Sequence, residues 1–139
     1  MKYATLILLS IFCLSACQKT RTPCIYEIPA GYTGWVIIEF ECPDANAIPQ
    51  KNGNLFFRIE ASGRLRTSSK QEYGWASDRY FDSTGLKMKQ TSWGEGGMIW
   101  AGSTGSSQKA NGRIHYYQTF FVGSEDAYRK SIKNLPELE

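Results

Sequence analysis

Three stretches of this chain alternate apolar side chains with a period of two, and that period limits the fold more than any other feature. Val36, Ile38 and Phe40 alternate with Ile37, Glu39 and Glu41. Leu55, Phe57 and Ile59 share one face and leave Arg58 and Glu60 on the other. Ile114, Tyr116, Phe120 and Val122 line one face of a third stretch, with Tyr117 and Phe121 opposite. Side chains alternate across a strand, so strands bury these sets on one side and helices do not. The third stretch is apolar on both faces, which predicts a central strand covered on each side. Shorter pieces extend the pattern. Ile25–Ile28 reads as a strand, and Leu65 and Thr67 follow the turn Ala61-Ser62-Gly63. Arg79–Asp82 and Leu86–Gln90 flank Ser83-Thr84-Gly85 as a hairpin. The expected fold is mainly β, a small single-domain β-sandwich or open barrel of about six to eight strands.

The C-terminus changes period. Ser124 can cap a helix whose first turn holds Glu125 and Asp126, with Arg129, Lys130 and Lys133 toward its end and Pro136 beyond. A helix of about two to three turns is expected, laying Ala127, Tyr128 and Ile132 on the sheet. Residues 92–112 hold six glycines with Ser, Thr and Asn around the apolar patch Met98–Ala101. They read either as a strand pair with loose loops or as an exposed loop.

The N-terminus carries an address. Lys2 precedes an apolar run from Ala4 to Leu14, then Ser15-Ala16-Cys17. A positive start, a short apolar core and small residues before a cut site form a secretory signal. The run is shorter than the roughly 20 residues a membrane span needs. Leu14-Ser15-Ala16-Cys17 resembles the bacterial lipobox, in which the cysteine is acylated with diacylglycerol and the chain is cut before it. The expected organisation is a signal peptide at 1–16, a lipidated tether at 17–23 and one β-rich domain at 24–139. Several acyl chains, palmitate among them, would then anchor the exported protein through Cys17, since one chain alone binds only marginally. By the same resemblance, Gln18 after the cysteine favours the outer membrane where the source has two membranes.

Removing residues 1–16 of 139 leaves 123, enough for one domain with a real core. The precursor is formally +3, and loss of Lys2 leaves +2. That balance, with its basic residues scattered, gives no reason to expect a nucleic-acid partner. Cys24 and Cys42 remain after cleavage and flank the two strand-like segments Ile25–Ile28 and Trp35–Glu41. A hairpin turning at Ala30–Gly34 would bring them together as a disulfide worth about 3 kcal/mol on the chain-entropy model. Two cysteines and one histidine do not make a zinc site, and no metal or cofactor is expected.

Catalytic patterns are sparse. Gly94-Glu95-Gly96-Gly97 lacks the third glycine of a dinucleotide loop and has no Gly-Lys-Ser/Thr after it. His115 is the only histidine, and a general base needs a partner in hydrogen-bond reach. Asp78 or Asp82 could supply one, but a packing role is the expectation. Glu39, Glu41 and Asp44 cluster after the first long strand, a spacing that many solvent-facing strands share. The candidate binding surface is aromatic: Trp93, Trp100, Trp75 and Tyr32 sit in loop-like, glycine-rich contexts where rings can anchor a partner or stack on sugars.

Three pieces carry a resemblance: Ile28-Pro29-Ala30-Gly31-Tyr32-Thr33-Gly34-Trp35-Val36, Gly63-Arg64-Leu65-Arg66-Thr67-Ser68-Ser69 and Phe121-Val122-Gly123-Ser124-Glu125. Together they resemble an uncharacterised family of small bacterial lipoproteins, over about residues 25–132. The resemblance implies a single lipoprotein domain and transfers no activity. The expected function is therefore a membrane-anchored envelope lipoprotein, a non-enzymatic module that binds another envelope protein. The alternatives are a glycan- or small-ligand-binding module using the loop tryptophans, and a hydrolase using His115.

Overall fold

The computed structural model describes residues 19–137. The signal segment, Cys17 and Gln18 lie outside the described residues. Nine strands and one helix form among those described. One sheet contains β1 (Cys24–Ile28), β3 (Gln50–Lys51), β4 (Asn54–Arg58), β6 (Arg79–Asp82) and β7 (Lys87–Met88), in the order β3-β4-β1-β6-β7. The other contains β2 (Gly34–Phe40), β5 (Arg64–Arg66), β8 (Ile99–Gln108) and β9 (Ile114–Val122), in the order β5-β2-β9-β8. The helix α1 spans Glu125–Ser131.

The chain alternates between the sheets, and this explains their mixed character. β1 is parallel to both β4 and β6, and β2 is parallel to β5. Parallel neighbours need a long crossover. Here a strand of the opposite sheet serves as the crossover where a helix often would. The two inner faces meet through Tyr26, Phe57 and Tyr80 on one sheet and Phe40 and Phe120 on the other. Tyr26 and Tyr80 each lie 5.4 Å from Phe120, edge to face. Most of the alternating sets named from the sequence form this core: Val36, Ile38, Phe57, Ile59, Phe120 and Val122 are all buried, Leu55 and Tyr116 pack against them, and Ile114, expected on the same face, is exposed.

The expected hairpin between β1 and β2 does not form, and the disulfide goes with it. Residues 30–34 carry the chain from one sheet to the other. Cys24 heads β1, Cys42 follows β2, and both thiols are free and buried. The Cys24 thiol instead accepts from the Arg21 guanidinium at 3.3 Å.

The hairpin at Arg79–Asp82 is present as β6–β7. The glycine-rich stretch resolves into a strand: β8 runs ten residues along β9 as a sheet edge, with a bulge between Trp100 and Ser103. Ala101 sits at φ 52° in that bulge, where bulged residues depart from strand geometry. Ser124 caps α1, its hydroxyl accepting from the Ala127 amide at 3.3 Å. Tyr128 of α1 packs on Trp35, Phe121 and Trp100, covering the outer face of β9 at its C-terminal end. Ile132 does not join it and is 48% exposed.

Candidate functional site

The four aromatic residues expected to form one surface are dispersed. Trp100 is a core residue, 1% exposed, with its indole N–H donating to the Gly123 carbonyl at 2.8 Å. It is corrected from a surface anchor to the platform on which Tyr128 stacks, 5.5 Å between centroids. Trp93 is half exposed, leans on Trp100 at 4.6 Å and carries the Arg129 guanidinium 4.7 Å above its ring. Tyr32 is half-buried and donates to the Trp35 carbonyl at 2.7 Å. Its ring end lies where a side chain on Gly63 would stand, so Gly63 at φ 78° is there for close approach. Trp75 is fully separate from this aromatic group and lies beside the N-terminal segment. Of the glycine-rich run, the Gly94 amide already donates to Glu125 at 2.6 Å.

A different constellation is better formed. In the β2–β9 ladder Glu39 lies opposite Tyr117, so His115, two residues earlier on β9, emerges on the same face. His115 Nε2 is 3.0 Å from Glu39 Oε1, with side-chain exposures of 7% and 13%. That contact is close enough for an ion pair, yet neither ring nitrogen has a hydrogen-bond partner of good geometry. The pair is close but misaligned. On the other flank, β5 sets Arg66 opposite Glu39, its Nε 3.7 Å from Oε2. The end of the same guanidinium grips Asp44 with two bonds, 3.0 and 2.9 Å. The hydrogen bonds from Arg66 hold the Asp44 carboxyl below its ordinary range.

Glu39 and His115 floor a cleft of about 530 Å³ whose walls are Arg64, Arg66, Lys109, Asn111 and Arg113. Arg113 donates to the backbone carbonyl of Glu41 at 3.0 Å. Glu41 itself stands at φ 55°, an uncommon conformation for a residue other than glycine. Arg64 donates to the Glu137 carbonyl at 3.2 Å. Among the described residues, Arg64, Lys109 and Arg113 make no ion pair with a carboxylate. A second groove of about 770 Å³ adjoins the cleft under residues 44–49, sharing Glu39, Arg64 and Arg66 and adding Ile48, Phe56 and Leu65. Among the described residues no three His, Cys, Asp or Glu side chains converge as a metal site would require.

Several carboxylates singled out in the sequence have other duties. Asp78 belongs to Arg21, 2.6 and 2.9 Å away, and also takes the Cys24 amide at 3.0 Å. Asp82 accepts from the Thr84 and Leu86 amides in the β6–β7 turn, and these bonds, with the Thr84 hydroxyl first, lower its carboxyl. The cations of the cleft were missed because they are spread over 49 positions in the chain. A local signal existed: Arg64 and Arg66 are two apart on a strand and so share a face.

No curated protein is significantly similar in sequence. The fold is similar to that of a crystallised candidate lipoprotein from Bacillus anthracis, with 26% identity over 85% of this chain and 81% of that one, and a TM-score of 0.61. The sequence profile of the family of unknown function DUF6843 matches residues 20–131. The chain belongs to that family.

Proposed function

We propose that the protein is an exported lipoprotein, held at the cell envelope by lipid on Cys17, which acts as a binding module. Its ligand is a carboxylate- or phosphate-bearing group of another envelope component, taken in the Glu39–His115 cleft. The observation that carries the binding role is three cations, Arg64, Lys109 and Arg113, lining one cleft without a carboxylate partner among the described residues. The cleft's four cations, Arg64, Arg66, Lys109 and Arg113, outnumber its two carboxylates, Glu39 and Glu41, and a net positive concave site concentrates the opposite charge there. The lipobox-like Leu14–Cys17 and the similarity to a candidate lipoprotein support the anchoring. Where the source has two membranes, Gln18 favours the outer one.

A hydrolase reading would rest on His115 alone. A general base must reach the group it activates, and neither ring nitrogen meets a hydroxyl or thiol. A glycan platform has less support, because Trp100 is buried and one face of Trp93 is covered by Arg129.

The test is a titration of the purified domain, residues 18–139, with inorganic phosphate and with citrate, read by the nuclear magnetic resonance signals of the His115 ring. Saturable shifts that weaken with salt, and that vanish in the Arg64→Ala/Lys109→Ala/Arg113→Ala protein, are expected. Equal shifts in both proteins, or none in either, would remove the cleft from consideration.

A further inference from the structure

The N-terminal segment of the described chain is fastened to the domain at one spot. The Trp75 amide donates to the Lys19 carbonyl at 2.9 Å, and the Arg21 amide donates to the Trp75 carbonyl at 3.1 Å. Thr20 and Trp75 form a parallel bridge between these bonds. The approach is so close that a side chain on Gly74 would collide with the Lys19 carbonyl. Two residues on, the Arg21–Asp78 pair and the Thr22 amide on Glu72, 3.0 Å, continue the fastening. Lys19 is therefore not on a free spacer, and its position relative to Trp75 is fixed.

Cys17 is two residues before Lys19. Two residues reach at most about 7 Å, so the residue that would carry the lipid cannot be far from Trp75. At that place the surface is aromatic: Trp75 is 61% exposed and Tyr73 47%. Lys19 is exposed at the bridge to Trp75, and Lys70 is exposed three residues before Tyr73 in the chain. Tryptophan and tyrosine are the residues that settle at headgroup level, with the ring in the apolar layer and the polar atom toward water. Lysines add attraction to anionic headgroups. Among the described residues no helix is long and apolar enough to cross a membrane, so contact would be superficial.

We propose that Trp75 and Tyr73 are the membrane-contacting face of the domain, seated in the headgroup layer of the membrane that holds the Cys17 lipid. This rests on the lipid attachment proposed above. The anchor then does more than tether: a lipid and two rings gathered at the same end of a fastened segment fix the orientation of the domain on the bilayer.

The test uses the full processed protein, with its lipid verified by intact mass, in vesicles of phosphatidylethanolamine and phosphatidylglycerol. Lipids brominated near the glycerol backbone quench nearby indoles. Wild-type protein should lose emission by an amount approaching the share of Trp75 among the four tryptophans. The Trp75→Phe protein, equally lipidated, should lack that loss. Equal quenching of the two would overturn the seating while leaving the lipid anchor intact. A mass without lipid would instead overturn the anchor, and the seating with it.

Discussion

Replacing Asp78 by alanine should unfasten the N-terminal segment and destabilise the whole domain. The carboxylate takes two bonds from Arg21, 2.6 and 2.9 Å, and a third from the Cys24 amide at the start of β1. The two side chains are 17% and 10% exposed. Removing one member of a buried ion pair costs about 3–5 kcal/mol, because the other charge stays behind without a partner. Some solvent contact remains here, which places the expected loss near the lower end, about 3 kcal/mol. For a domain of this size 1 kcal/mol shifts the melting temperature by about 4 °C, so a fall of about 12 °C is expected. Thermal unfolding of the soluble domain, followed by circular dichroism, measures it. Arg21→Ala should cost less, since Asp78 would keep the Cys24 amide, and the double variant should fall well short of the sum. A loss below about 1 kcal/mol would put the pair in the class of exposed ion pairs and refute the fastening.

Two further outcomes separate buried from surface chemistry. Trp100→Ala should cost about 3–5 kcal/mol in denaturant unfolding, whereas Trp93→Ala should cost about 1 kcal/mol or less; similar losses would contradict the placement of the two rings. Burial pushes the Cys24 thiol up to about 11, and it pushes the Tyr26 and Tyr80 hydroxyls upward too. Each group releases its proton from the unfolded chain first, so the contribution of these groups to stability should be flat below the ordinary thiol value and fall as pH rises through it toward 11. An unfolding series across alkaline pH reads this, and stability that rose there would reverse the sign. Both cysteines should be alkylated readily in denaturant without reductant; protection there would mean a disulfide.

A local period in the sequence reports a local geometry. The β2 and β9 alternations, the β6–β7 turn and the Ser124 cap are all local, and each is present. Parallel pairing leaves no such trace. Nothing in Ile25–Ile28 says that its neighbours are β4 and β6, so the nearest strand, β2, looked like its hairpin partner. The disulfide expectation was built on that error. The candidate site failed to show for the same reason. Glu39 and His115 are 76 positions apart and meet only through the β2–β9 register, and the cations join them through the parallel β2–β5 contact. Tryptophans in a glycine-rich stretch looked like loop residues because a sheet edge with a bulge and small side chains has the composition of a loop.

The proposed anchor at Cys17 underlies both the envelope role and the seating of the domain, and it can be tested directly. Cells making the wild-type chain or Cys17→Ser are grown with labelled palmitate, fractionated, and the protein recovered from each fraction. Wild type should carry label and sediment with membranes, and Cys17→Ser should do neither. Label and membrane association that survive the substitution would contradict the account.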